Sequence, residues 1–451
     1  MCADLVVRNG KVVTRTGIIE ADIAVDYGKI STISKLPLSG DKTIDAKGNL
    51  VLPGFIDPHV HLGLRFPIES DCRTETPAAA HGGVTTVMSY VMPRTSMKDE
   101  IDNVIQAASR NTCIDIAFQS AVSTVEQISE IESVMNKGAS SFKFFLSRPD
   151  LEERYGIKQP DDGVIYRAFT ELSKWGGLPK AHCENFEISK QLIPALKEAG
   201  RNDLAAWNEA RPDFCEEEGM QRIALIAKAT NMPVYIVHLS IGAGLDIANS
   251  ARAQGVRIYL ETCPHYLTID KDDTSVGIKG KINPPLRSKD NIEKLWTGIA
   301  NGSIHCIGTD HIPTKLENKV GDLWSTQAAF PGVQTFLPIM LTEGVVRRGV
   351  PIERIVEVCC YNNAKINMIP NKGSIEVGYD GDLVIVDLDH RVKMSTEVLK
   401  GASDFSLYDG KELVWPITTI LRGQVLLEEG ELITKPNTGR VLKCMRRQNS
   451  R

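Results

Sequence analysis

Short apolar runs alternate with amphipathic stretches through most of this chain. Runs at 52–56, 85–91, 115–122, 141–146, 179–181, 233–237, 256–260 and 305–307 have the length and composition of buried strands. Between several of them apolar positions return at helical spacing, at 98–110, 125–137, 220–230 and 243–254. Apolar strands separated by helices predict a parallel sheet covered on both faces. The α/β body spans about 55–370, and its eight strand-like runs fit a closed TIM-type (β/α)8 barrel. The rival is a doubly wound open sheet, which would carry a glycine-rich phosphate loop after an early strand. Gly82-Gly83 precedes a strand instead.

The two ends have a different texture. Residues 5–13 form an apolar hairpin pattern around Asn9-Gly10, and 21–25 and 29–33 flank the turn signal Asp26-Tyr27-Gly28. Near the other end, 382–387 is a buried-type strand, and 417–421 and 424–427 form a hairpin around Arg422-Gly423. Residues 1–54 and 371–440 are therefore expected to assemble a small β-sandwich from both chain ends, two separate sheets being the other arrangement. Residues 441–451 are expected to be a tail, with the basic run Lys443-Cys444-Met445-Arg446-Arg447 solvated.

Composition narrows the partners. The 451 residues are 42% hydrophobic with a net charge of −5, so a large core is available and no basic field recruits nucleic acid or an anionic membrane. No segment reads as a signal peptide or a membrane span. The 10 cysteines lack C-x-x-C spacing, which points to reduced, buried thiols and a cytoplasmic protein.

In α/β barrels functional groups gather at the C-terminal ends of the strands. His59 and His61 follow the first apolar run, His182 the fifth, His238 the sixth and Asp310 the eighth, while Lys143 stands inside the fourth. The two-residue alternation of His59 and His61 points both imidazoles the same way, and Asp57 could orient one ring. This pattern serves a structural pair as well as a pair of ligands. His182 and His238 read singly as core residues, and jointly as metal ligands. Asp310 is either a loop turn or a carboxylate facing positive charge. Lys143 in Ser141-Phe142-Lys143-Phe144-Phe145-Leu146 either pairs with a carboxylate or, as a desolvated amine, captures carbon dioxide as a carbamate able to bridge two cations. Four imidazoles, a carboxylate and a carbamate suit borderline divalent ions such as zinc.

The order of motifs then resembles the cyclic amidohydrolases of the amidohydrolase superfamily: hydantoinases, dihydropyrimidinases, allantoinases and dihydroorotases. The resemblance covers nearly the whole chain. It runs from Pro53-Gly54-Phe55-Ile56-Asp57-Pro58-His59-Val60-His61 through Phe142-Lys143, His182-Cys183-Glu184-Asn185, Val237-His238-Leu239-Ser240 and Glu261-Thr262-Cys263-Pro264-His265-Tyr266-Leu267 to Gly308-Thr309-Asp310-His311. Ala210-Arg211-Pro212 and Phe330-Pro331-Gly332-Val333 place it nearest the hydantoinase and dihydropyrimidinase branch.

That resemblance implies two divalent metal ions, zinc by preference. His59, His61 and Asp310 would hold the more buried ion, His182 and His238 the more exposed one, and Lys143, N6-carboxylated, would bridge them. A bridging hydroxide would attack the amide carbon of a small cyclic amide or ureide, with Asp310 moving the proton. Relatives are commonly homotetramers or homodimers. The substrate contacts depart from the pattern. Arg148 stands five residues after the lysine, where many hydantoinases carry tyrosine; Tyr155 lies further along the same loop, and Asn283 replaces a common serine. Gly63 stands where dihydroorotases carry a substrate-binding arginine, so an uncharged ring is expected to be preferred. The loops 62–65, 92–97 and 147–157 are expected to wall the pocket. Allantoinase and dihydroorotase are the alternatives within this chemistry. A one-metal deaminase would not need Lys143, and a dihydropyrimidinase-like scaffold without catalysis would not need all six ligand positions filled. Two, one or zero metal ions per chain separate these readings.

Overall fold

The computed structural model describes residues 2–146 and 149–447. Eight parallel strands form a nearly closed barrel in chain order: β1 (Phe55–Val60), β2 (Val84–Val91), β3 (Asp115–Ala121), β4 (Ser141–Leu146), β5 (Leu178–Cys183), β6 (Val234–Ile236), β7 (Ile258–Thr262) and β8 (Cys306–Ile307). A parallel bridge from Val60 to His311, with the His61 N–H donating to the His311 carbonyl at 2.8 Å, brings the chain after β8 back to β1. β1 to β6 are buried at every position, as the continuous apolar runs predict. Helices cover the outside. Several begin at a side-chain cap three residues ahead of the N–H it satisfies, as Ser96 does for Asp99, Asp161 for Val164 and Ser288 for Asn291.

Both chain ends join one nine-stranded mixed sheet, in which Leu50–Pro53 pairs parallel with Ala3–Thr14 and antiparallel with Leu383–Lys393. Three readings of the sequence need correction. Residues 5–13 are not a hairpin: Ala3–Thr14 is one strand, and Asn9-Gly10 makes a bulge instead of a turn, with Asn9 at φ 54° and the pairing register shifting between Val7 and Gly10. A Cβ on Gly10 would come within 2.6 Å of Val51, so the bulge also needs a glycine. The apolar run at 52–56 belongs to two strands, one ending at Pro53 in the mixed sheet and β1 starting at Phe55, which moves His59 into the strand itself. Finally, the basic run is not solvated as a whole. Cys444 is buried, its N–H donates to the Gly138 carbonyl at 2.9 Å, and Arg447 Nη2 donates to the Ile366 carbonyl at 2.6 Å, so the segment lies against the barrel. Nine of the 10 cysteines are buried and none is in a disulfide, as the spacing suggested; Cys2 is exposed. Among the described residues no helix is long and apolar enough to cross a membrane.

The mixed sheet is fastened to the barrel by a buried ion cluster. Lys372 Nζ meets Asp115 at the start of β3 at 2.6 Å, Asp382 at 2.6 Å and Asp380 at 2.9 Å. Arg422, from the mixed-sheet hairpin, also pairs with Asp115. Burial disfavours the Lys372 ammonium, but the carboxylates outweigh it and hold its pKa above the ordinary range. Removing the cation alone would leave buried carboxylates facing one another. Lys372→Met is therefore expected to lower the unfolding free energy by about 3–5 kcal/mol. Urea denaturation measures this, and a loss below about 1 kcal/mol would contradict the role given to the cluster.

Candidate metal centre

The barrel twist brings six polar side chains to one mouth. His59 lies in β1, Lys143 in β4 and His182 in β5, while His61, His238 and Asp310 sit just beyond β1, β6 and β8. His59, Lys143 and His182 are fully buried, and His61 and His238 nearly so. His238 and Asp310 have φ of 42° and 53°, a left-handed conformation that costs a non-glycine residue energy and that the surrounding structure must impose. Both positions turn the chain sharply where a strand ends.

Two nests result. In the first, His59 Nε2 is 3.1 Å and His61 Nε2 is 3.0 Å from the same oxygen, Asp310 Oδ1. Burial pushes the Asp310 carboxyl up, but His59 and His61 outweigh it and hold it well below the ordinary carboxylate range. Burial pushes the His61 imidazole down to about 4. In the second nest, His182 Nδ1 and His238 Nε2 face each other at 2.9 Å. Burial, with Lys143 and His182 beside it, holds His238 well below the usual imidazole range. The His59 and His238 rings are 5.5 Å apart, so the nests adjoin. Lys143 Nζ lies 4.9 Å from the centre of the Tyr90 ring, and that ring in turn packs on both His59 and His61.

Neighbouring carboxylates fix the imidazole tautomers. Glu261 Oε1 is 2.7 Å from His59 Nδ1, and Glu184 Oε2 is 2.9 Å from His182 Nε2. A proton held on the nitrogen that faces each carboxylate leaves a lone pair on the other, and those lone pairs face Asp310 and His238. Acceptors turned toward one another in a dry site are satisfied by a cation between them. The donor atoms of His59, His61 and Asp310 lie within 4.8 Å of one another, a chelating set. The residues thus fit divalent cations. A second acidic group, Asp115, Asp380 and Asp382, is filled by the Lys372 ammonium.

Glu261 and Glu184 were not assigned roles from the sequence, and Asp57 was misplaced. Its carboxylate accepts from the Thr309 hydroxyl at 2.5 Å and from the Thr309 and His59 backbone N–H groups, so it ties β1 to the loop after β8 and leaves ring orientation to Glu261. A carboxylate in the otherwise apolar Ile258–Thr262 strand was the available signal. Glu261 also accepts from the Tyr235 hydroxyl at 2.8 Å and the His238 N–H at 3.1 Å. Burial raises its pKa, but the His59 imidazole outweighs burial and the group stays below its ordinary value.

An inner chamber of about 40 Å3 is lined by His61, Lys143, His182, His238 and Asp310, together with Leu64, Met92, Leu151 and Asn283. The loops after β1 and β2 contribute Leu64 and Met92 to its wall, whereas Leu151 comes from a helix, Pro149–Tyr155, where the sequence led us to expect a loop. Asn283 is buried, and its Oδ1 has no hydrogen-bond partner among the described residues. Tyr155 lines an adjoining outer chamber. Arg148 lies outside the described residues.

Comparison with known proteins agrees with this arrangement. Residues 50–426 match the amidohydrolase family. The chain is 32% identical to an L-hydantoinase of Paenarthrobacter aurescens, covering 97% of each chain, and 32% identical to an allantoinase of Solibacter usitatus, covering 96% of this chain and 95% of the relative. The solved structure of the L-hydantoinase (dihydropyrimidinase) from Arthrobacter aurescens superposes with a TM-score of 0.91 at 31% identity, over 98% of this chain and 100% of that one. The protein belongs to the amidohydrolase family, near its hydantoinase and dihydropyrimidinase members, and the family together with the histidine–aspartate group supports the use of divalent metal.

Glu261→Gln keeps the size of the side chain but presents an N–H2 group toward donors. Metal affinity is expected to fall about 10- to 100-fold. Competition with a chelator measures it on the folded variant; unchanged metal retention would remove Glu261 from the support of the site.

Proposed function

We propose that this enzyme hydrolyses a ring C–N bond of a cyclic amide or ureide, a hydantoin, dihydropyrimidine or related ring, at a two-metal centre. The observation that carries the reading is the pair of adjoining nests, one of two imidazoles and a carboxylate and one of two imidazoles, with the Lys143 amine in the same chamber. His59, His61 and Asp310 would hold one divalent cation, His182 and His238 a second, and the Lys143 carbamate would bridge them. Zinc suits these nitrogen and oxygen donors. Ions bound there supply Lewis acidity toward a carbonyl and lower the pKa of water.

The chain's own groups account for the proton. Both imidazoles of the first nest meet Asp310 Oδ1, and among the described residues no hydrogen bond occupies Oδ2. The Asp310 carboxylate lines the chamber, and it would accept the proton of the attacking water as the water oxygen bonds to the amide carbon. As the C–N bond breaks, the same carboxyl returns the proton to the leaving nitrogen. Asn283, in the chamber wall, would meet a polar group of the ring, and Leu64, Met92 and Leu151 would exclude bulk water from it. Tyr155, at the end of the helix Pro149–Tyr155, and Arg148, just ahead of that helix in the sequence, are assigned to contact the ring's substituent. We assign the active form to a homotetramer or homodimer on the same resemblance.

Two experiments test the reading. In the first, 5-substituted hydantoins, dihydrouracil, allantoin and dihydroorotate are compared for ring opening. Neutral rings are expected to give the higher kcat/KM, because Gly63 supplies no cation near the ring. A clear preference for dihydroorotate would reverse the assignment within the family, and no opening of any ring would reject it. In the second, Lys143→Ala should lower metal content below two per chain and abolish turnover, with partial rescue by a small carboxylic acid occupying the carbamate's place. Full activity with two metals in that variant would exclude the bridge.

A further inference from the structure

Outside the inner chamber lies a larger one of about 320 Å3, and Leu64, Leu151, Asn283, Ile312 and Ala328 line both. Its charge is one-sided. Arg65, Arg154, Lys197, Arg211 and Lys281 line it, against Glu153 as the acid among the described lining residues. These cations are not equivalent. Arg211 is committed to Glu184 at 3.1 Å, and through it to His182. Lys281 donates to the Trp324 and Thr326 carbonyls. Arg154 and Lys197 are exposed and screened by water.

Arg65 is different. Its side chain is half-buried, and its guanidinium reaches neutral groups: the Thr314 hydroxyl at 2.7 Å, the Ala328 carbonyl at 3.5 Å and the Tyr155 hydroxyl. Among the described residues no carboxylate forms an ion pair with Arg65, and its Nε is buried without an acceptor. Behind the same wall sits buried Lys319, which donates to the Lys281 and Gln327 carbonyls; burial, then Arg65 and Lys281, push its pKa well below the ordinary lysine range. A guanidinium cannot escape such crowding by losing its proton. An anion arriving from the chamber relieves it, and the planar fork fits a carboxylate best.

Position decides where that anion sits on the substrate. Arg65 lines the outer chamber and not the inner one, whereas the metal-binding groups line the inner one. A carboxylate attached directly to the reacting ring would lie among Leu64, Met92 and Asn283. One carried at the end of a flexible arm reaches past Leu64 and Leu151 into the outer chamber. We propose that the substrate is a neutral cyclic ureide bearing an exocyclic arm that ends in a carboxylate, and that Arg65 receives this carboxylate. This rests on the ring-opening reading above and specifies the substrate class for it.

The test uses isosteric pairs of 5-substituted hydantoins with arms of one, two and three methylenes, ending in a carboxylate or in the matching primary amide. For at least one arm length the carboxylate should give a kcat/KM about tenfold or more above its amide. The advantage should shrink as salt is raised and collapse toward unity in Arg65→Gln, while Arg65→Lys keeps part of it. Thermal shift supplies a readout apart from turnover: the carboxylate compound should stabilise the metal-loaded wild-type enzyme more than its amide at equal concentration. If Arg65→Gln does not fold, the wild-type comparison at low and high salt still decides. Equal kcat/KM and equal stabilisation across all three pairs would overturn the proposal while leaving ring opening intact. Failure to open any ring would instead reject the ring-opening reading, and equal stabilisation by acid and amide would then overturn the anion site as well.

Discussion

A carboxylate placed among three hydrogen-bond donors at the base of the metal site sets the terms for the rest of the structure. Glu261 is fully buried, and it accepts from the His59 imidazole, the Tyr235 hydroxyl and the His238 backbone N–H. An isolated carboxylate in that position would be expelled or protonated. Surrounded by those donors it stays ionised and fixes one imidazole in each nest, His59 through its ring and His238 through its backbone. The cost of desolvation is thus converted into orientation. Without it, the His59 ring would be free to turn its proton toward Asp310, and the lone pair that faces Asp310 would be lost.

The same logic appears at the opposite side of the molecule with the charges inverted. Lys372 is a buried cation surrounded by Asp115, Asp380 and Asp382, and it joins a barrel strand to the segment leading into the mixed sheet. One cation meeting three carboxylates from two parts of the chain admits few other arrangements. Here the uniqueness fixes how the two chain ends sit on the barrel. The loops at the other side wall the chamber instead.

How much of this was legible in the sequence follows from range. Barrel strands are announced by continuous apolar runs, so their number and most of their bounds could be read locally. His59, His61, Lys143, His182, His238 and Asp310 stood out because each interrupts or ends such a run. The Asn9-Gly10 hairpin was misread because the dipeptide signals a left-handed residue and does not say whether the strand reverses or bulges; the pairing of Ala3–Thr14 with distant Leu50–Pro53 decides that. Glu261 interrupts an apolar run too, but the run does not name its partner, because His59 is 202 residues away. Asp57, two residues from His59, was the natural local guess and proved to serve the backbone instead.

Range also explains why the chemistry was easier to read than the substrate. Metal donors must converge within a few ångströms, so only a few residue types at strand ends satisfy them, and each leaves a mark in its own run. Specificity has no such compression. The outer chamber draws on the loop after β1 (Arg65), the helix Pro149–Tyr155 (Arg154), the helix Phe186–Glu198 (Lys197) and the segments holding Lys281 and Trp324, and none of these is distinctive alone. Arg65 stands two residues beyond Gly63, the position at which the resemblance would put a ring-binding arginine in a dihydroorotase. In space those two residues carry it out of the inner chamber altogether. A shift of two residues therefore moves a positive charge from the ring to the ring's substituent, which changes the substrate a barrel of unchanged chemistry can select.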